Sequence, residues 1–128
     1  SASAMANLAS MLYDGRGGEK NLKRAAELLH MSAEHGNNLA LNSLGWIYEH
    51  GEGVDQDYAA ALGWYRKAAD AGVAQAMFNL GRLYENGIGV GKNTEIAGDW
   101  YAKAAGHGHE EAARQLKALK SEASATNG

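Results

Sequence analysis

Residues 38–73, NLALNSLGWIYEHGEGVDQDYAAALGWYRKAADAGV, and residues 74–109, AQAMFNLGRLYENGIGVGKNTEIAGDWYAKAAGHGH, superpose without a gap at a period of 36. Fifteen of the 36 aligned pairs are identical, among them Leu44/Leu80, Gly45/Gly81, Glu49/Glu85, Gly51/Gly87, Gly53/Gly89, Trp64/Trp100, Tyr65/Tyr101 and Gly72/Gly108. Stepping back another 36 residues finds a weaker copy carrying Ala4, Leu8, Gly15, Gly17, Ala25, Ala33 and Gly36. A fixed period of this length is the mark of a solenoid, in which each unit buries its apolar face against its neighbours. Solenoids present extended surfaces, so the functional question is what such a surface binds.

Within one copy, Ala40, Leu41, Leu44, Ile47 and Tyr48 recur at spacings of three and four, which is one face of a helix. Gly51 stands where a left-handed residue ends a helix, and Gly51-Glu52-Gly53-Val54 turns the chain. Asp57 offers a carboxylate to the free amides of a second helix, with Asn93 and Asn21 in the same place in the other copies. The second helix is expected to bury Ala61, Trp64, Tyr65, Ala68 and Ala69, with small residues at Gly45, Ala61 and Ala68 permitting close approach. Leu28 and Leu29 replace the aromatic pair in the first copy and predict looser packing there.

A fourth copy stops after one helix. Residues 110–120 keep Ala112 and Leu116 in register, while Lys117 and Lys120 replace a glycine and a tyrosine, as suits a capping helix that meets water. Residues 121–128, SEASATNG, read as a frayed polar tail. The expectation is therefore an all-α, right-handed α-α superhelix of seven helices in one domain over residues 1–128. It has repeats at 2–37, 38–73 and 74–109, and a C-terminal capping helix.

Composition narrows the function. The 128 residues carry a net charge of −3, with no basic excess to displace counterions from a phosphate backbone, which speaks against nucleic-acid binding. No apolar run approaches the roughly 18 residues of a membrane helix, so direct insertion is not expected. The absence of cysteine removes disulfides and thiolate chemistry. The chain begins at Ser1 and reads as an excised or processed segment.

Candidate chemical sites are sparse. The GEGV and GIGV turns follow a helix and recur with the repeat, whereas a phosphate cradle follows a strand and opens a helix. The cluster His107, His109, Glu110 and Glu111 has ligand chemistry for zinc or nickel, but no third histidine lies nearby in sequence; an exposed polar turn is the plainer reading. Neither a nucleophile with a base partner nor a paired-carboxylate pattern is present, so no enzymatic activity, cofactor or metal is expected.

The residues that recur resemble the Sel-one-like repeat (SLR), a relative of the tetratricopeptide repeat. Its pattern is met by Ala74-Gln75-Ala76, Leu80-Gly81, Tyr84, Gly87-Ile88-Gly89-Val90, Ala97, Trp100-Tyr101, Lys103-Ala104-Ala105 and Gly108. The resemblance implies an adaptor or scaffold for protein complexes, in a bacterial cell envelope, periplasm or cytoplasm. It also implies, by tetratricopeptide geometry, that first helices line a concave groove. Positions between the buried ones then face a partner peptide or helix: Ala6, Ser10 and Tyr13; Asn42, Trp46 and Glu49; Phe78, Arg82 and Glu85; and Arg114. Trp46 and Phe78 are the expected apolar anchors, since Arg82 and Asn42 stand at the matching positions and the repeat demands neither aromatic. A structural or self-association module of a larger protein, possible as a homo-oligomer through repeat ends, is the alternative. A metal-binding or hydrolytic accessory ranks last.

Overall fold

A computed structural model describes Asn7, Ala9 and residues 20–127. Six helices run through this span, and no strand occurs among the described residues: α1 (Lys20–Glu34), α2 (Asn38–His50), α3 (Tyr58–Asp70), α4 (Ala74–Asn86), α5 (Thr94–Gly106) and α6 (Glu110–Asn127). The seventh expected helix falls in residues 1–19, of which only Asn7 and Ala9 are described, both helical. The chain forms two compact units, Ser1–Val73 and Ala74–Gly128.

In the first unit, α2 is capped by Asn37, whose Oδ1 accepts from the amides of Leu39 (3.0 Å) and Ala40 (3.4 Å). Gly51 ends it at φ 68°, ψ 44°, a conformation costly for any residue with a Cβ. Two residues on, Gly53 has φ 80°, and a Cβ there would lie 2.2 Å from the Leu22 carbonyl oxygen of α1. The second glycine thus serves the turn and the approach of α1 together. The Asp57 amide then donates to the Tyr48 carbonyl at 2.8 Å, and its carboxylate caps α3 by accepting from the Ala60 amide at 3.0 Å. The second unit repeats this turn, with Asn93 bonded to the Tyr84 carbonyl and capping α5 through the Ile96 amide at 2.9 Å. Asn21 differs from the expected cap: α1 already starts at Lys20, so Asn21 lies inside the helix.

The α2–α3 and α4–α5 pairs each close through one glycine and one tyrosine. A Cβ on Gly45 would sit 2.4 Å from the Tyr65 ring, and one on Gly81 would sit 2.5 Å from the Tyr101 ring. Only the missing side chain lets the ring lie flat against the first helix. Tyr65, Tyr101, Leu44, Leu80, Leu83, Met77 and Ile47 are buried around these contacts. Leu28 and Leu29 are buried in the first unit, packed with Ala25, Ala26 and Leu44.

Three expectations change, two about burial and one about the length of a helix. Leu41 and Tyr48 are half-buried. So are Trp64 and Trp100, because the lysine three residues on lies over each indole: Lys67 Nζ is 4.8 Å from the Trp64 ring and Lys103 Nζ 5.4 Å from the Trp100 ring. An ammonium needs water on its far side, so the ring it covers sits at the boundary of the core. Finally, α6 does not fray at Lys120 but continues to Asn127. The reason lies in the repeat register: Ala123 and Ala125 occupy the positions of Gly51 and Gly53, and of Gly87 and Gly89. Alanine is the strongest helix former and cannot readily make the left-handed turn.

Candidate functional site

The expected groove residues lie on first helices, and the structure sorts them into surface and scaffold. On α2, Leu39, Asn42, Trp46 and His50 follow at three, four and four residues, which places them on one stripe. Leu39 is 68% and Trp46 39% exposed, while Asn42 is half-buried and hydrogen-bonded or otherwise engaged. The His50 ring lies 4.0 Å from the Trp46 ring at 32°, and His50 Nδ1 donates to the Trp46 carbonyl at 2.9 Å. That bond sets the imidazole against the indole, and Trp46 remains partly exposed.

Glu49 was expected on the same surface, and the structure corrects this. It is buried, and Tyr65 Oη donates to its Oε1 at 2.8 Å. Glu85 is half-buried and similarly placed: Tyr101 Oη donates to Oε1 at 2.6 Å, and Gln115 Nε2 of α6 reaches both carboxylate oxygens at 3.1 and 3.2 Å. Burial first, then the bond to Glu85 and its negative charge, holds the Tyr101 hydroxyl well above the usual phenol range. Each glutamate is therefore a strut between paired helices. The sequence carried the signal, because Glu49/Glu85 and Tyr65/Tyr101 are both identical between copies, and a shared polar pair belongs to the shared scaffold.

Phe78 combines partial exposure with packing. Its ring is half-buried, stacked on His109 (4.8 Å, 15°) and tilted against Tyr101 (5.6 Å, 40°). His109 is fully used. Its Nδ1 accepts from the Ala112 amide at 3.0 Å and so caps α6, which leaves the proton on Nε2 to donate to Gln75 Oε1 at 2.9 Å. No lone pair is left for a metal. Nearby, His107 Nδ1 donates to the Lys103 carbonyl at 3.0 Å. No group of three metal-ligating side chains occurs among the described residues. Arg82 is half-buried on α4 and Arg114 exposed on α6, whereas Tyr13 lies outside the described residues. Sequence reasoning missed His50 and His109, two imidazoles whose roles depend on a neighbouring aromatic and a helix end.

Glycine-pinned helix hairpins repeated at a fixed period define an all-α repeat solenoid of the tetratricopeptide-like class. The Sel1 repeat model matches residues 2–37, 38–73 and 74–109, and the chain belongs to the Sel1 repeat family. Proteins of this family are generally protein-interaction scaffolds on a non-catalytic fold. Among solved structures, a Sel1 repeat protein from Oxalobacter formigenes is 33% identical, with a TM-score of 0.83 over 91% of this chain and 47% of that one. A protective antigen of uropathogenic Escherichia coli, c5321, is 34% identical with the same TM-score, over 91% of this chain and 25% of that one. Cysteine-rich protein B of Helicobacter pylori shares the fold at 24% identity and a TM-score of 0.70, over 89% of this chain and 92% of that one. The chain thus spans about half and a quarter of the first two. No curated protein sequence matches it. No described helix is long and apolar enough to cross a membrane.

Proposed function

We propose that this chain is an adaptor that holds a peptide or helix of another protein against the exposed faces of its first helices. Trp46 is the apolar anchor, with Asn42 beside it on α2. Arg82 and Arg114 supply charge on α4 and α6. Phe78 contributes the uncovered edge of a ring whose main duty is packing. The observation that supports the reading is the partly exposed indole of Trp46, packed on His50 and on a stripe with Leu39, at a position where the next copy has arginine. Tryptophan and arginine dominate binding energy at protein interfaces.

The test pairs two baits, wild type and Trp46→Ala, in a capture followed by calorimetric titration of the captured partner. Trp46→Ala is expected to weaken binding by about 1–3 kcal/mol. Equal affinity of both baits for the partner would reject the anchor. Arg82→Glu acts through charge, so its effect should shrink at high salt.

A further inference from the structure

The outer side of α6 and the adjoining side of α5 form an open groove of about 410 Å³, lined by Gly98, Asp99 and Ala102 from α5 and by Leu116, Leu119 and Ala123 from α6. The repeat register says what this groove is. Leu116 matches Leu44 and Leu80, and Leu119 matches Ile47 and Leu83. Those four residues are at most 2% exposed; Leu44 and Ile47 pack with Ala25, Ala26, Leu28 and Leu29 of α1, and Trp64 of the second helix α3 closes over that cluster. Leu116 and Leu119 are only half-buried. Among the described residues, α6 is a first helix without its second, and it runs to 18 residues where α2 and α4 have 13.

We infer that the occupant is α6 of a second copy of this chain, in a two-fold symmetric dimer. In both complete hairpins the second helix runs antiparallel to the first, and two α6 helices related by a two-fold axis perpendicular to their length also run antiparallel. The partner helix therefore enters the groove in the direction a second helix takes. A further repeat-type helix fits less well: its tyrosine needs a glycine at the place where α6 has Lys117. An α6 helix brings leucine and alanine instead.

The charges agree with this occupant. The α5 wall is acidic, with Glu95 and Asp99, and the α6 wall basic, with Lys120 in the groove and Lys117 nearby. All four are exposed, and none forms an ion pair among the described residues. When α6 of the second copy lies in the groove, its Lys120 faces Asp99 of the first, and symmetry makes the same pair again. The face is self-complementary in shape and charge. It is distinct from the first-helix faces assigned to a partner protein, so either proposal can fail alone.

Sedimentation equilibrium from about 1 μM to about 1 mM spans the affinities expected of so small an interface. The weight-average mass should rise from the 13.5 kDa monomer toward twice that value. Leu119→Glu sets a carboxylate against the apolar strip and should raise the dissociation constant by about tenfold or more, with an unchanged helical circular dichroism spectrum. Asp99→Lys and Lys120→Glu should each weaken self-association alone, and an equimolar mixture of the two should form a mixed dimer. A wild-type mass that stays monomeric throughout overturns the proposal. So does a dimer indifferent to Leu119→Glu, or a charge-reversed mixture that does not associate.

Discussion

The second and third repeats share a frame and differ in what they do with an aromatic. In α2, Trp46 faces outward and is steadied by His50 from its own helix. In α4, Phe78 is covered by His109, which arrives from the start of α6 and also caps that helix. Both rings stand where the repeat demands nothing, and both have an imidazole against them. One imidazole leaves its ring exposed; the other draws its ring into a helix junction. A residue that departs from the repeat is therefore left partly exposed or drawn into a helix junction according to which imidazole meets it.

The shared frame should yield the largest effects. Leu80→Ala and Leu44→Ala each remove a buried side chain between paired helices and should cost about 2–5 kcal/mol in chemical denaturation. A melt unchanged by either would break the equivalence of the two hairpins.

Phe78→Ala comes next, at about 2 kcal/mol, since it strips His109 and Tyr101 of a ring contact and loosens the start of α6. Trp46→Ala should cost under about 0.5 kcal/mol, as expected for a surface position. Equal losses at the two sites would erase the contrast between them.

Between these lies Tyr101→Phe, at about 1 kcal/mol, which deprives Glu85 of its shortest hydrogen bond while Gln115 remains. Its pH dependence sharpens the comparison. The folded protein holds the Tyr101 proton more tightly than the unfolded chain does, so this contribution is complete below the ordinary phenol range near about pH 10 and fades as pH rises beyond it. Stability measured from pH 8 to 11 should fall less steeply for Tyr101→Phe than for wild type. Parallel curves would place the alkaline loss elsewhere.

The hairpin architecture was legible because a gapless period leaves little freedom: the same glycines, caps and small residues had to do the same work twice. Asp57 and Asn93 cap their helices as their spacing implied, and Gly45 and Gly81 admit the facing helix as their size implied. The surface was harder to read. The tetratricopeptide analogy put Glu49 on the surface of Trp46 and Glu85 on that of Arg82, but helical phase is blind to a tyrosine 16 residues away on the facing helix. Trp64 and Trp100 looked like core because they recur, and Lys67 and Lys103, which recur with them, set their depth. The full length of α6 was written at residues 123 and 125, where a polar composition suggested a tail and the alignment with the turn glycines argued otherwise.

Those two alanines carry a consequence for the form of the last unit. At positions 51 and 53, and again at 87 and 89, glycine acts as punctuation that folds the line back on itself. At 123 and 125 the punctuation is deleted and the line runs on as a single rod. Glycine at the two turn positions accompanies a hairpin, and alanine there accompanies a continuous helix. The two preceding repeats keep both glycines and both turns, so the change of form is confined to this one unit.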